Sequence, residues 1–489
     1  MKKIFVVIMF LCVILFPGCG SINQVSKKLD RYDMVLSIDT DNKVLIGNQS
    51  LIYTNKSQNC INEVLFHLYP NAFRKDSKNK PVSLASQNKA YPNEMSYGEI
   101  EITGLYVNDC PVDIILEGED KDILKVEVGE LFPDDNVKIS IDYRDTLPNC
   151  IHRYGYGDNT INFGNFYPIV CVYENGEFFS EGYSYKGDPF YSEMANYNVK
   201  IIMDSEYILA STGQVCDKVE NNNRTTYSIA ANAVRDFAFV ISKDFNVISN
   251  EQQGVKINYY FFDDEKSLES LNTACASINT FNELFGEYPY EELDVVQADF
   301  LHGGMEYPNL VYISHGVVDY DEYTNVIVHE IAHQWWYGLV GNNQYDNSWQ
   351  DEGLAEVSTL LFYEYNKEYN VDVKQKENLL AKNYAMFLDV YKSVYGSVDE
   401  RMNRSLDEFN SDTEYVYIAY VKANIMFCDI KNTVGTKKFI KSLSKYYKEN
   451  RYTNCNPDVL IDCFENICGK QIGNMINSYL NGEVVMMRK

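Results

Sequence analysis

The stretch that decides the fold is His329-Glu330-Ile331-Ala332-His333. Residues four apart lie on one face of a helix, so both imidazoles can reach a single metal ion. Glu330 stands between them, placed to take a proton from a water molecule at that metal. The alternative is a helix that carries two ordinary surface histidines. Because the chain has only 6 histidines in 489 residues, the pattern favours a metal site.

Glu352 is the candidate for the third ligand. The 18 residues between His333 and Glu352 suit the rest of the first helix, a Gly/Asn-rich turn and the start of a second helix. Two His and one Glu with a fourth position left open make a catalytic rather than a structural zinc site. Glu356 lies one turn further on the same face, where it could accept a proton from the second nitrogen of a ligating imidazole. A solvated acid is the alternative for Glu356.

Four separated blocks of the chain resemble the zinc aminopeptidases of peptidase family M1. They are His329-Glu330-x-x-His333, Glu352-Gly353-Leu354-Ala355, the G-x-M-E-N-like loop Gly303-Gly304-Met305-Glu306-Tyr307-Pro308, and the Y-x-K-G-like run Tyr420-Val421-Lys422. Many peptidases share a zinc motif, whereas the order and spacing of all four blocks are more specific. The resemblance implies a multi-domain β plus α/β chain, in which a β saddle precedes a thermolysin-like, mainly helical metallopeptidase domain. It also implies one Zn²⁺ per chain, held by His329, His333 and Glu352.

The resemblance gives the other two blocks a role in peptide binding and catalysis. Glu306, with Gly303, Gly304 and Met305, would hold the α-amine of the substrate through charge-assisted hydrogen bonds. The alternative is that Glu306 is a surface acid beside a Gly-Gly turn. Tyr420 would donate its phenol proton to the oxyanion of the tetrahedral intermediate. Because the chain has 40 tyrosines, Tyr415 and Tyr417 remain rivals for this role.

Three departures from the family pattern bear on specificity. Tyr307 replaces the usual Asn after the loop Glu, and we expect it to reshape the pocket for the first side chain of the substrate. Ala423 replaces the Gly of Y-x-K-G, which is a mild change on a helix. The segments 163–168 and 187–190 look like the region where many members place an amine-binding Gln, but neither contains one.

The first residues predict export from the cytoplasm. Lys2 and Lys3 precede an apolar run from Ile4 to Phe16 that is too short to span a bilayer. The following Gly18-Cys19-Gly20 resembles the lipobox at which bacterial lipoproteins are cleaved and lipidated on the cysteine. We therefore expect an extracytoplasmic, membrane-anchored lipoprotein lipidated at Cys19. A simple secretory signal and an uncleaved anchor are the alternatives.

Charge and cysteine content narrow the class of protein further. A formal net charge of −27 argues against binding nucleic acid and against adsorption to anionic lipid. Ten cysteines remain besides Cys12 and Cys19, scattered without a C-x-x-C pair. Export would permit disulfides, but several of these cysteines could equally be buried free thiols.

The pattern along the chain predicts three segments. Residues 1–28 form the signal peptide, lipobox and tether, residues 29–247 a β domain, and residues 248–489 a mainly helical domain. The resemblance implies that this last domain is the thermolysin-like catalytic domain. The polar stretch 249–254 is the expected break between the last two. Because 69 residues remain after Tyr420, we expect a short member without the large helical domain that many relatives append.

These observations predict a zinc-dependent aminopeptidase that hydrolyses peptides outside the cytoplasm. One alternative is a zinc endopeptidase on the same frame, which applies if Glu306 does not face the cleft. Another is a peptide-binding lipoprotein without turnover. The presence of Glu330 beside three metal ligands weighs against a pure binding protein, because a binder needs no general base.

Overall fold

The structure, a computed structural model, describes residue 22 and residues 24–483. A β-rich N-terminal region precedes a mainly helical C-terminal region, which confirms the predicted fold class. Cys19 and the apolar run 4–16 lie outside the described residues, as do residues 484–489. Within the described part of the chain, no helix combines the length and the apolar character needed to cross a bilayer.

The N-terminal region is built on an eight-stranded sheet. In spatial order its strands are Gln214–Asn221, Arg224–Val234, Ala195–Asp204, Asp30–Asp39, Val44–Thr54, Asn136–Thr146, Glu99–Val107 and Cys110–Pro111. Burial alternates along Asp30–Asp39, so that Tyr32, Met34 and Leu36 face the core while Val35 faces solvent. This alternation is the period of a sheet with one covered face.

Smaller sheets cover the inner face of the large one. One consists of Ile208–Ser211, Phe239–Ser242, Ile161–Phe163 and Tyr154–Tyr156, and another of Ile169–Val170, Ile61–His67, Ile123–Leu131 and Ile115–Glu117. A hairpin joins Tyr173–Glu174 to Glu177–Phe178, and short helical turns lie at Tyr69–Phe73 and Gln87–Ala90. The apolar core under these sheets also includes Phe300, Met305 and Tyr307. The loop that carries Glu306 is therefore packed against the N-terminal region.

A second sheet of five strands begins the C-terminal region. Its spatial order is Asn246–Gln252, Val255–Phe261, Glu292–Ala298, Leu310–Ser314 and Gly304–Met305. The three middle strands are parallel, and both edge strands are antiparallel to their neighbours. The short edge strand Gly304–Met305 leads directly to Glu306.

The expectation of a polar break at residues 249–254 is wrong. Most of this stretch belongs to the edge strand Asn246–Gln252, which pairs along its whole length with Val255–Phe261. Edge strands are often polar because one side of the strand faces water, so polarity here marks an edge and not a linker. The predicted domain boundary between 247 and 248 falls inside this strand and stays a prediction.

The longer helices of the described C-terminal region are α1 to α8. They are α1 Ser267–Leu284, α2 Tyr320–Ala332, α3 Gln344–Tyr365, α4 Val373–Tyr395, α5 Ala423–Val434, α6 Thr436–Asn450, α7 Pro457–Cys468 and α8 Lys470–Leu480. Shorter segments are Lys367–Tyr369, Leu406–Glu408, Asp412–Tyr415, the π-helix Val416–Lys422, and the paired strands Val340–Gly341 and Thr453–Asn454. Ile278 of α1, Ile327 of α2, Val357 of α3 and Phe427 of α5 share one buried core.

Two helix boundaries near the candidate site differ from the predicted ones. The apolar pattern of the sequence predicts a helix from Tyr323 to Gly338, whereas α2 ends at Ala332. Helix α3 begins at Gln344, before the expected start at Glu352, because the Asn343 side chain accepts hydrogen bonds from the backbone N–H groups of Tyr345 and Asp346. Non-helical backbone angles at Asn347 mark a kink in α3, five residues before Glu352.

Candidate active site

The side chains of His329, His333 and Glu352 meet between α2 and α3, as their spacing in the sequence predicts. The Nε2 atoms of His329 and His333 lie 3.1 Å apart, and Oε2 of Glu352 is 3.3 Å from each of them. Ligands about 2.0–2.1 Å from a tetrahedral zinc ion lie roughly 3.3 Å from one another. The donor types and their spacing therefore fit Zn²⁺.

A hydrogen bond of His333 and an ion-pair contact of His329, each at the ring nitrogen Nδ1, orient both imidazoles toward the shared point. His333 Nδ1 lies 2.9 Å from the carbonyl oxygen of Trp336, and His329 Nδ1 lies 3.2 Å from Oε1 of Glu356. Each contact holds a proton on Nδ1 and leaves Nε2 free to bind a metal. Asn424 of α5 in turn donates to Oε2 of Glu356 at 3.1 Å. The structure thus places Glu356 where the sequence predicted a support for a ligand.

The charges of the triad compensate one another. Burial alone would raise the pKa of Glu352, but the two imidazoles outweigh it and lower this pKa to about 2. Burial alone would lower the pKa of His333, but the charge and hydrogen bond of Glu352 raise it to about 10. A site that attracts protons this strongly also attracts a divalent cation, and metal binding must release those protons.

Glu330 lines the same cavity and is buried. Burial raises its pKa to about 7, against the opposing effect of the two histidines. A carboxylate with a pKa near neutrality suits a general base at ordinary pH. Its side chain lies against Gly304, where a Cβ atom would come within 2.4 Å of Oε1. The glycine before Met305 is therefore required by the close approach of the loop to Glu330.

Glu306 also lines the cavity, and its carboxylate is buried. Carboxylate and imidazole atoms of Glu306, His333 and Asp351 lie within 4.8 Å of one another. One amide nitrogen, Nε2 of Gln344, is 2.8 Å both from Oε1 of Glu306 and from Oδ2 of Asp351. Burial, followed by the charge of Asp188, raises the pKa of Glu306 well above its ordinary value. The predicted amine anchor is thus next to the metal-binding triad, in a position where a cation would be stabilised.

The rest of the loop divides between the cavity and the core. Gly303 and Gly304 line the cavity, whereas Met305 is fully buried behind it. Tyr307 is also fully buried, and its hydroxyl donates to Oδ1 of Asn165 at 2.9 Å. The expectation that Tyr307 reshapes the substrate pocket is therefore wrong. Its long side chain reaches away from the cavity and fastens the loop to the N-terminal region.

The structure separates the three candidate tyrosines. Tyr420 lies in the π-helix with its ring stacked near His329, at 6.1 Å between ring centroids, and its hydroxyl donates to Oε1 of Glu352 at 2.5 Å. Tyr415 also lines the cavity. Tyr417 instead stacks on Phe387 of α4, at 4.5 Å between centroids. Only Tyr420 brings its hydroxyl into contact with a metal-binding side chain, and burial raises its pKa so that it stays a proton donor.

The N-terminal region supplies a wall of the cavity that the sequence did not predict. Arg153 and Asp188 line the cavity and form a buried ion pair. Gln344 and Asp351 were also missed, although the first lies in the Asn-rich turn and the second directly precedes Glu352. No spacing rule links residues 153 and 188 to the zinc motif, because their approach depends on how the two regions pack. The cavity between both regions has a volume of about 370 Å³.

Comparison with known proteins places this geometry in a family. Residues 269–479 match the family description “Peptidase family M1 domain”. The chain carries a peptidase family M1 domain. Together with the donor triad, this makes Zn²⁺ the cofactor of the site, and both the predicted family and the predicted cofactor are confirmed.

Several curated aminopeptidases are similar to the chain. Aminopeptidase 2 of Candida albicans is 26% identical over 306 residues, which are 58% of this chain and 32% of that protein. Aminopeptidase N of Lactobacillus delbrueckii subsp. lactis is 25% identical over 296 residues, which are 57% of this chain and 34% of that protein. The chain spans about a third of the length of these relatives.

A solved structure extends the likeness over almost the whole fold. The M1 zinc metallopeptidase from Deinococcus radiodurans superposes with a TM-score of 0.66 at 15% identity, covering 94% of this chain and 95% of that one. At this identity the likeness concerns the fold. It shows that the β-rich region and the M1 domain are arranged as in a known metallopeptidase.

Proposed function

We propose that the protein is a zinc-dependent aminopeptidase that removes N-terminal residues from peptides. The observation that carries this proposal is the buried carboxylate of Glu306, which lies within 4.8 Å of His333 in the cavity of the metal-binding triad. An exopeptidase must hold a charged α-amine while the scissile carbonyl reaches the metal. Glu306 supplies a carboxylate for that amine, and this carboxylate lies within 4.8 Å of the zinc-binding residue His333.

The side chains of the cavity account for the chemical steps. Bound zinc would polarise the scissile carbonyl and acidify the attacking water. Glu330 would accept the proton of that water and pass it to the leaving amine. Tyr420 would donate its hydroxyl proton to the developing oxyanion, since the hydroxyl already lies at the edge of the triad. Glu306 would keep the first residue of the peptide in register throughout.

A relative supports short peptides as the substrate class. A variant of the Deinococcus radiodurans M1 zinc metallopeptidase has been crystallised with a Tyr-Ser-Ala substrate. The fold of that enzyme covers 94% of the present chain with a TM-score of 0.65. A cavity of about 370 Å³ suits the first few residues of such a peptide.

We also propose that the protein works outside the cytoplasm as a lipoprotein. The support is in the sequence alone, where Lys2 and Lys3, a short apolar run and Cys19 follow one another. Expression of wild type and Cys19→Ala with detergent phase partitioning tests this. We expect wild type in the detergent phase and Cys19→Ala outside it. Equal partitioning of the two would contradict lipidation at Cys19.

A hydrolysis assay with paired substrates tests the proposed activity. Purified protein would be stripped with a chelator, reloaded with Zn²⁺, and given a leucyl chromogenic amide and its N-acetylated form. We expect zinc-dependent cleavage of the free-amine substrate and little cleavage of the acetylated one. Internal cleavage of acetylated peptides at the same rate would identify an endopeptidase. Peptide binding without any zinc-dependent hydrolysis would identify a binding protein.

A further inference from the structure

Tyr307 takes no part in the proposed chemistry, although it directly follows Glu306 in the loop. Its hydroxyl donates to Oδ1 of Asn165 at 2.9 Å, and its carbonyl oxygen accepts a hydrogen bond from Nε2 of Gln334 at 3.1 Å. Asn165 belongs to the N-terminal region, whereas Gln334 directly follows the metal-binding residue His333. The residue after Glu306 is therefore held at its backbone from the metal-binding side and at its hydroxyl from the N-terminal region.

The amide of Asn165 has one orientation that satisfies both of its neighbours. Its Nδ2 donates to Oδ2 of Asp236 at 2.8 Å, which leaves Oδ1 to accept the proton of Tyr307. The other oxygen of Asp236 accepts from the Tyr167 hydroxyl at 2.8 Å and from the backbone N–H of Phe237 at 2.7 Å. A carboxylate that accepts hydrogen bonds thus fixes the amide, and the amide fixes the hydroxyl of Tyr307.

The surroundings of Tyr307 leave little room for another arrangement. A Cβ atom at Gly164 would collide with the Tyr307 hydroxyl oxygen, so the ring passes directly over this glycine. Tyr307, Asn165 and Asp236 are buried, and a donor or acceptor that lost its partner there would be left without water. The loop therefore has one favoured position, which is also the position of Glu306.

We propose that Asn165 and Asp236 are positioning residues that act through Tyr307 to hold Glu306 where it binds the α-ammonium group of the substrate. This inference rests on the proposed aminopeptidase function. A side chain that binds a substrate must be held within about 0.5 Å of the productive geometry by the residues around it. The N-terminal region would thus set the substrate affinity of a site whose metal ligands lie in the helical region.

Steady-state kinetics of zinc-loaded protein at pH 8 test the inference. This pH lies above the value of about 7 to which burial raises the pKa of Asp236, so the carboxylate is ionised. Tyr307→Phe removes the hydroxyl and keeps the ring. We expect KM for a leucyl chromogenic amide to rise about 3–10-fold, as the loss of one hydrogen bond implies. Zinc content should stay the same and kcat should change less than about twofold, because amine binding acts before the chemical step.

Tyr312→Phe is the matched control. Tyr312 is also fully buried, its ring packs against that of Tyr307 at 5.1 Å between centroids, and its hydroxyl lies 3.4 Å from the carbonyl oxygen of Phe239. Loss of this hydroxyl should leave KM near the wild-type value, whatever its effect on Tm. An equal rise of KM in both variants would show that KM responds to any weakening of this core, and it would contradict a positioning role.

An exchange of two side chains tests whether Asp236 acts through Asn165. Asp236→Asn brings two amide NH₂ groups face to face, so the amide of Asn165 must turn and KM should rise. The double variant Asn165→Asp/Asp236→Asn restores a complete set of donors and acceptors, and KM should return toward the wild-type value. Position 165 has a φ of +51°, which Asp tolerates as Asn does.

The same variants include the results that would overturn the inference. A folded Tyr307→Phe with wild-type KM would do so, as would an exchange that leaves KM as high as in Asp236→Asn alone. Losses that multiply when Tyr307→Phe and Asp236→Asn are combined would show that the two residues act independently. If Tyr307→Phe does not fold, Asp236→Asn and the exchanged pair decide the question. Failure of the aminopeptidase function itself looks different, because zinc-loaded wild type would then not hydrolyse the amide at all.

Discussion

The two halves of the site handle buried negative charge in opposite ways. In the metal-binding half, Glu352 is buried, yet the imidazoles beside it lower its pKa to about 2. In the half around Glu306, which we propose to bind the α-amine of the substrate and call the amine-binding half, Glu306 is equally buried, and its pKa is raised well above the ordinary value. The side chains of the metal-binding half themselves attract a metal cation. In the amine-binding half the carboxylates are not balanced by histidines, so this half favours a cationic group of the substrate.

The halves also differ in where their residues come from. The metal-binding half draws on the end of α2, whose C-cap is His333, and on the neighbouring helix α3, within residues 329–356. The amine-binding half lies where the edge strand Gly304–Met305 contacts Arg153 of the N-terminal region, which pairs with Asp188. A change in the first half should therefore affect catalysis and zinc. A change in the second half should affect which peptides are cleaved.

The largest effect is expected from Glu330→Gln. This change removes the base but leaves His329, His333 and Glu352 intact, so zinc should remain bound. We expect kcat to fall about 10²–10⁴-fold, as general acid–base catalysis implies. Metal analysis should accompany the kinetics. Near wild-type turnover in this variant would show that proton transfer does not depend on Glu330.

Tyr420→Phe should produce the next largest loss. We expect kcat to fall roughly 10²–10³-fold with little change in KM, because an oxyanion donor acts mainly in the transition state. Tyr417→Phe is the matched control, since that ring stacks on Phe387 outside the cavity. Steady-state kinetics of both variants and of Tyr415→Phe would decide the assignment. A severe defect in Tyr415→Phe with Tyr420→Phe unaffected would transfer the role to Tyr415.

Zinc affinity should depend steeply on pH. Because Glu352 raises the pKa of His333 to about 10, the free protein keeps a proton there at neutral pH, and zinc must displace it. Affinity should therefore rise as pH increases, about tenfold per unit for each proton released, until the pH passes the pKa of the histidine. Competition with a chromophoric chelator at pH 6, 7 and 8 would measure this. A flat profile would mean that the histidines are already neutral.

The smallest effect is expected from Glu356→Ala. Glu356 contacts Nδ1 of His329, the ring nitrogen that does not bind the metal. Its loss should therefore weaken zinc affinity only about 10–100-fold. Glu352→Ala, His329→Ala and His333→Ala remove ligands and should lower zinc occupancy far more. Zinc content after dialysis against a mild chelator compares the four variants. Full occupancy in Glu352→Ala would remove Glu352 from the ligand set.

The sequence predicts the metal-binding half well because its geometry is local. A spacing of four on a helix places His329 and His333 on one face, and Glu352 needs only a short connection to reach them. The helical periodicity of the sequence likewise predicts a helix from Pro457 to Cys468, which is the range of α7. The predicted start of a helix is less accurate where a capping side chain sets it, as the side chain of Asn343 does for α3.

The amine-binding half could be predicted only in part. Glu306 is marked by its loop, but nothing in the sequence indicates that Tyr307 reaches Asn165 or that Arg153 joins Asp188 to Met305. These contacts join positions more than 140 residues apart in two of the three cases, and they exist only once the two regions are packed together. Side-chain pairing across such distances has no periodic signature in the chain.

The most direct test of the account is the effect of Glu306→Ala on the preference for free over N-acetylated peptides. The ratio of kcat/KM for the two substrates would be measured in zinc-loaded wild type and variant, with metal content as the control. We expect a large ratio in wild type, a much smaller one in Glu306→Ala, and equal zinc in both. Wild type that cuts acetylated peptides internally as fast as it trims free ones would contradict the account and identify an endopeptidase.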